Sequence, residues 1–357
     1  MDPDLRALGE FGLIHRIRRR AAHRSPGIIR GIGDDAAVLG LEGGGPLLLT
    51  TDMLLEGVHF QRRWGRARDV GRKAMAVNIS DIAAMGGRPV HALLGLAVPP
   101  DGPDLAELEA LLEGLEEEAA RYGVSLVGGD TCASQSGLVL AVTLLGVLGG
   151  DCALSRSGAE PGDRLWVTGM LGGAAAGLLA LEFGLRPGAP WPHDLPRPAW
   201  LGPKEEEAIQ AAMTSQLTPV PRLAAGQALA GFASALIDVS DGVASDVGQL
   251  CRESGVSIRV DAESLPLHPG AVAVAQLTGR DPLDLGLRGG EDYELLFTAA
   301  EDPRPVVARA APGLGIACIG EVSAGAAVAT VTYADGRETP LTGGFDHFRA
   351  PFASNDQ

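Results

Sequence analysis

Residues Leu47 to Phe60 read Leu-Leu-Leu-Thr-Thr-Asp-Met-Leu-Leu-Glu-Gly-Val-His-Phe, an apolar run that delivers two hydroxyls and a carboxylate. The run predicts a buried strand. Thr50, Thr51 and Asp52 are then expected near its carboxyl end, where open α/β sheets commonly bind ligands. Four other Asp-bearing stretches repeat the pattern: Gly31-Ile-Gly-Asp-Asp35, Asn78-Ile-Ser-Asp81, Gly128-Gly-Asp130 and Asp238-Val-Ser-Asp241. A fold that satisfies all five brings them to one place.

Between these stretches the periodicity alternates. Ala67 to Met85 predicts a helix stopped at Gly86-Gly87, with Asn78 and Asp81 on one face. His91 to Val98 predicts a strand. Asp104 to Tyr122 is the clearest helix, with a buried stripe of Leu105, Leu108, Leu112, Leu115 and Ala119. Val124 to Val127 predicts a short strand ending at Gly128-Gly-Asp130, and Leu138 to Leu148 another strand. A composition break at 151–162 precedes a second alternating set, including strands near 164–169, 233–239, 256–260 and 317–322. The fold class is therefore α/β, in two domains, 1–150 and 151–357. A length of 357 residues exceeds what one core usually supports. The segment 186–203 carries six prolines with Trp191 and Trp200, so it is read as a surface excursion.

A formal charge of −16 argues against nucleic acid as a partner, because phosphate backbones need a basic surface. Cys132, Cys152, Cys251 and Cys318 form no Cys-x-x-Cys pair, which favours reduced thiols. Met1-Asp-Pro-Asp4 opens no apolar leader and no stretch approaches a charge-free span, so a cytoplasmic location is expected.

Five carboxylates in one cleft, Asp35, Asp52, Asp81, Asp130 and Asp238, must be protonated or metallated. At an effective dielectric near 20, a like-charged pair at ~4 Å costs on the order of 4 kcal/mol. Magnesium suits an all-oxygen ligand set, and the lack of Cys/His spacing disfavours zinc. If Gly31 to Asp35 is extended, Asp34 and Asp35 face opposite ways and one of them reaches the metal. Ser240 can cap the helix that follows Asp238. Taken singly, each Asp reads better as a cap or turn residue; together they are harder to explain that way. No Walker loop, His-Arg-Asp or Asp-Phe-Gly element is present, which excludes the P-loop and protein-kinase designs. Thr168-Gly-Met-Leu-Gly-Gly173 is explained by close helix packing at least as well as by phosphate binding.

The ordered set Gly9-Glu-Phe-Gly-Leu-Ile14, Gly31-Ile-Gly-Asp-Asp35, Thr50-Thr-Asp52 with Glu56-Gly-Val-His-Phe60, Ala76-Val-Asn-Ile-Ser-Asp-Ile-Ala-Ala-Met-Gly86, Gly128-Gly-Asp-Thr131, Ser155-Arg-Ser-Gly-Ala159, Asp238-Val-Ser-Asp-Gly242, Gly289-Gly-Glu-Asp-Tyr-Glu-Leu295 and Phe345-Asp-His-Phe348 resembles the thiamine-monophosphate kinase family. The resemblance covers nearly the whole chain. It implies a two-domain aminoimidazole ribonucleotide synthetase-like architecture, a homodimer, and ATP-dependent phosphorylation of thiamine monophosphate to thiamine diphosphate. Several Mg²⁺ ions are implied on Asp35, Thr50, Thr51, Asp52, Asp81, Asp130, Asp238 and Asp241, with Asp52, Asp81 and Asp130 central to catalysis. Gly129, Asp130, Arg156 and Ser240 are implied to contact ATP, and His59, Glu291 and Phe345 the thiamine phosphate. Glu291 would be a counter-charge to the thiazolium and Phe345 a face for its ring. Without the resemblance, these three read as a packed histidine, a turn carboxylate and a core aromatic.

Two stretches depart from the family pattern. Gly173 and Ala174 stand where relatives commonly show a polar pair, and Gln216-Leu-Thr-Pro219 where they often show His-Leu-Arg-Pro. The rival readings are a synthetase of the same architecture and a magnesium–nucleotide sensor without catalysis. A selenophosphate synthetase would carry a reactive N-terminal Cys, whereas the first cysteine here is Cys132.

Overall fold

The computed structural model describes residues 5–21, 27–41, 44–150 and 153–348. Met1 to Asp4, Cys152 and the start of the composition break at Asp151 lie outside them.

The first half runs α1 (Leu5–Arg20), β1 (Ile28–Arg30), β2 (Ala37–Leu39), β3 (Leu47–Leu55), α2 (Ala67–Ala84), β4 (Arg88–Val98), α3 (Leu105–Arg121), β5 (Ser125–Ala133) and β6 (Val139–Val147). Its strands form one sheet in the order β1-β2-β3-β6-β4-β5. Only the β4–β5 pair is parallel. The expected position of Thr50 to Asp52 at a strand end is therefore corrected. All three lie mid-strand in β3, which alternates between a buried and an exposed face although its sequence looks continuously apolar. Leu48, Thr50 and Leu54 point to the core, whereas Leu49, Thr51 and Met53 point out.

Helix α2 is buried nearly all round, and it packs on β3, β6, α3 and α6. Two glycines allow its close approach to α3. A Cβ on Gly71 would lie 1.9 Å from Leu111 O, and one on Gly114 would lie 1.9 Å from Arg68 O. The α3 stripe is shifted from expectation: Leu111 and Leu115 are its buried leucines, while Leu105 at the first turn is 71% exposed. Asp104 caps α3 by accepting from Glu107 N, 2.8 Å away, as a capping box should.

The second half comprises β7 (Arg164–Thr168), α4 (Gly173–Glu182), α5 (Pro203–Leu217), α6 (Leu223–Leu229), β8 (Ala235–Asp238), α7 (Val243–Ser254), β9 (Ser257–Asp261), α8 (Pro269–Thr278), α9 (Pro282–Arg288), β10 (Leu295–Ala299), α10 (Arg304–Ala310), β11 (Ile316–Ser323), β12 (Ala329–Thr332) and β13 (Glu338–Pro340). The seven strands order as β13-β12-β9-β11-β7-β10-β8 and are antiparallel except for β12–β9. Helix α7 covers one face; α6, α10 and Ala83 and Ala84 of α2 join the core against β7, β8 and β10. Helix α2 thus touches β3 of one sheet and β8 of the other. The segment holds no helix or strand over 186–202, and its last proline, Pro203, opens α5; Trp191 and Trp200 pack against the α4–α5–α8 core. No helix among the described residues is long and apolar enough to cross a membrane.

Candidate active site

Asp35, Asp81 and Asp238 each place a carboxylate oxygen within 4.8 Å of the others. Asp35 comes from the loop before β2, Asp81 from the last turn of α2, and Asp238 from the end of β8. Hydroxyls hold two of them: Thr50 Oγ1 donates to Asp81 Oδ2 at 2.5 Å and Ser80 Oγ to Asp238 Oδ2 at 2.6 Å. Beside them the Asp52 amide donates to Asn78 Oδ1 at 3.0 Å, so Asn78 and Asp81 do share the face turned to β3. The backbone over 32–36 is bent rather than extended, and on it Asp34 and Asp35 take different side-chain partners. Asp34 accepts from Arg30 at 2.7 Å, while Asp35 accepts from the guanidinium of Arg156, whose Nε is 3.1 Å away.

Burial pushes these acids up. Asp35, Asp52 and Asp238 are raised to about 6, first by desolvation and then by one another, with Arg156 opposing at Asp35 and Asp238. Asp81 is held well above the usual carboxylate range by burial and then by Asp52 and Asp238. Asp241 rises to about 7 through burial and then Glu10. Asp35 Oδ2 is buried without a hydrogen-bond partner. Clustered hard oxygens, too many negative charges for one guanidinium and an orphaned carboxylate oxygen together fit divalent cations of the magnesium type.

Thr51 and Asp130 are not brought to this triad within the chain. Thr51 Oγ1 donates to Val142 O at 3.1 Å on the outer face of the sheet. Asp130 lies within β5, which continues through Gly128-Gly-Asp130 rather than ending there. In register it aligns with Gly95, Ala141 and Met53, so its side chain shares Thr51's outer face. Gly129 must lack a side chain, since a Cβ would meet Leu94 O at 1.9 Å. Ser240 does not cap α7. The N-cap is Gly242, and Ser240 O instead accepts from Glu291 N at 2.8 Å.

A second group gathers beside the first. Leu55 N donates to His59 Nδ1 at 3.1 Å, which fixes the neutral ring with its proton on Nε2. Burial, with His347 and Lys73 nearby, lowers His59 to about 4 despite Glu291. The His59 and His347 rings lie 5.1 Å apart, and Phe345 meets His347 edge-on at 4.7 Å. Phe345 is 40% exposed, not a core aromatic, and its N–H donates to Asp241 O at 2.9 Å. Glu291 lies 2.7 Å from Lys73 Nζ. His59, Glu291 and Phe345 therefore form one surface, tied to the carboxylates through Asp241.

The glycine-rich segment before α4 is not an anion site. Its amides at Gly172 and Ala174 already donate to the buried Asp292 carboxylate, at 2.6 and 3.0 Å. Packing explains Gly172, whose Cβ would meet Gly286 N at 2.9 Å.

Residues 33–148 match the family described as AIR synthase related protein, N-terminal domain, and residues 160–332 its C-terminal domain counterpart. The fold is thus that of a two-domain AIR synthase-related protein. Among curated relatives, thiamine-monophosphate kinase of Salmonella typhimurium is 37% identical over 351 residues, covering 97% of this chain and 100% of that protein. The Bacillus subtilis thiamine-monophosphate kinase is 36% identical, covering 83% and 85%. The chain belongs to the thiamine-monophosphate kinase family. Solved relatives agree. AaThiL complexed with AMPPCP and TMP superposes with a TM-score of 0.79 at 32% identity, covering 97% of this chain and 99% of that one. The Stenotrophomonas maltophilia thiamine-monophosphate kinase gives 0.70 at 38% identity, covering 92% and 97%. The HypE–HypF complex, at 21% identity, shares the fold alone.

Sequence reasoning missed several groups. Ser80 reaches Asp238 across 158 positions, a pairing no local motif announces. Lys73 belongs to no motif, and only its 2.7 Å approach to Glu291 marks it. Asp246 is 2% exposed, its Oδ2 has no partner, and burial followed by Asp241 and Asp238 holds it well above the usual range. Its position between Val243 and Val247 on the apolar face of α7 was the available signal.

Proposed function

We propose that this chain's activity, phosphorylation of thiamine monophosphate by ATP to give thiamine diphosphate and ADP, proceeds by direct in-line transfer on a magnesium platform. Asp35, Asp81 and Asp238 would hold the ions, with Asp52, Thr50 and Asp241 beside them. Bound magnesium supplies charge neutralisation of the phosphates and a template for alignment. The nucleophile is an oxygen of the acceptor's own phosphate, ionised near neutral pH, so no side chain need act as general base. Arg156 offers a planar fork to ATP phosphate oxygens, and the Gly129 main chain and Ser240 complete the nucleotide contacts. His59 donates from Nε2 to the acceptor, and Phe345 presents its ring face.

The observation that carries this reading is the carboxylate triad, opposed by Arg156, next to the His59–Glu291–Phe345 surface. The AaThiL relative that holds AMPPCP and TMP together supports it. The same reading divides the chain at 150/151 and makes it a homodimer. Support for the dimer is the uncovered sheet face, where Leu49, Met53, Leu93 and Val127 are exposed beside Thr51 and Asp130. A second copy packed there would bury the apolar residues and bring Thr51 and Asp130 into an enclosed, ion-binding environment. Unpaired Cys132, Cys251 and Cys318 agree with a reducing, cytoplasmic setting.

The test is chromatographic detection of thiamine diphosphate after incubation with ATP, Mg²⁺ and thiamine monophosphate, with unphosphorylated thiamine and a metal-free reaction as controls. Product from thiamine monophosphate alone, and only with the divalent ion, is expected. Equal product from thiamine, or turnover in excess chelator, overturns the mechanism.

A further inference from the structure

Glu291 adopts φ +65°, a left-handed conformation uncommon for a residue with a Cβ, and Tyr293 two positions on has φ +50°. Its carboxylate is taken from two sides. Lys73 Nζ lies 2.7 Å from Oε1, and Gln216 Nε2 donates to Oε2 at 2.6 Å. Both partners are buried, the Lys73 side chain 3% exposed and Gln216 3%. Lys73 makes one further contact, donating to His59 O at 3.2 Å. A single ammonium therefore joins His59 and Glu291, which are 232 positions apart in sequence and belong to the two different family-matched regions.

A buried ammonium is costly unless paired, and a carboxylate with one contact on each oxygen still has lone pairs to offer. The pair is net neutral. Glu291 is thus already paired within the chain, whatever counter-charge role the resemblance implies for it. Its value lies in a fixed carboxylate plane.

We propose that Lys73 is a positioning residue of the acceptor site, setting the spacing between His59 and Glu291, and that Gln216 fixes the orientation of the Glu291 carboxylate. This contact is made by an amide that does not titrate. The inference rests on His59 and Glu291 being the acceptor contacts.

Steady-state kinetics of Lys73→Met, Gln216→Ala, Glu291→Gln and the Lys73→Met/Glu291→Gln double variant, with calorimetric Kd for thiamine monophosphate, provide the test. Lys73→Met should raise KM and Kd for thiamine monophosphate about tenfold, leaving KM for ATP within about twofold. Gln216→Ala should do the same to a smaller extent and serves if Lys73→Met does not fold. The double variant should be no worse than the worse single, because the residues act as a unit. A merely structural role would lower the active fraction and leave both KM values alone. Unchanged acceptor affinity in folded Lys73→Met and Gln216→Ala overturns the proposal. Tighter binding in Lys73→Met overturns it too, showing that the ammonium competes with the substrate cation. Failure of wild-type protein to turn over thiamine monophosphate would fall on the activity itself, and the calorimetric comparison would still judge Lys73.

Discussion

Withdrawing magnesium should destabilise this protein in a pH-dependent manner whose sign is fixed by the carboxylates. Asp35, with a side chain 1% exposed, is raised from 3.8 to about 6, chiefly by burial. A rise of that size corresponds to ~3 kcal/mol. The folded state holds this proton more tightly than the unfolded state. The associated stability is complete below about pH 4 and is lost as pH rises through about 6. Asp52 and Asp238 are raised too, Asp52 by burial and then Asp35, Asp238 by burial and by Asp52, so the cluster behaves as one unit of at least this size. With an unfolding entropy of ~2.1 cal/mol/K per residue, ~3 kcal/mol corresponds to about 4 °C in a chain of this length. Thermal unfolding of chelator-treated protein, with and without added Mg²⁺, should show the ion raising Tm by about 4 °C or more at pH 7.5. At pH 5, where protons already occupy the site, the rise should be under about 1 °C. Asp81→Asn should raise the metal-free Tm at pH 7.5 and shrink the magnesium effect. An equal magnesium effect at both pH values, or none at either, would refute the shared-ion cluster.

Asp52→Asn and Asp130→Asn should each lower turnover by about 100-fold or more while circular dichroism stays unchanged; near-normal rates in folded Asp130→Asn would remove it from the site. Gly114→Val forces a side chain into the Arg68 carbonyl and should cost about 3 kcal/mol or more, read as a fall in Tm. Met53→Glu places a charge on the exposed sheet face and should shift sedimentation from dimer to monomer; an unaltered dimer would locate the interface elsewhere.

The parts legible in the sequence were those decided by local chemistry. Helix α3 announced itself through its leucines and Ala119, whereas the bend at 32–36 that gives Asp34 and Asp35 separate partners carried no such local signal. Strand β3 was harder. Leu47-Leu-Leu49 looks buried on both faces, yet one face of its sheet is open, and that openness depends on which strands assemble beside it. The split of Thr50 and Asp52 from Thr51 and Asp130 follows from register, which becomes visible only once β3, β6, β4 and β5 are aligned. Ser240 failed as a cap because Gly242, at φ 103°, starts α7 two residues later. Helices α5 and α8 carry Pro at their first turn and weak apolar periodicity, so their packing decides them more than their sequence does. Lys73 and Gln216 acquire meaning only from Glu291, a residue from another part of the chain.

Helix α2 carries both Lys73, at the acceptor surface, and Asp81, at the ion cluster. Eight residues of α-helix separate them by about 12 Å. Because α2 is buried on nearly every side, that length works as a ruler that neither bends nor slides, and it sets how far apart the acceptor's ring contacts and the ions can stand. A ruler of this kind constrains descent as well as chemistry. Inserting or deleting one residue between Lys73 and Asp81 would turn one end by about 100° against the other. Point substitutions can accumulate along this segment, but its length cannot drift.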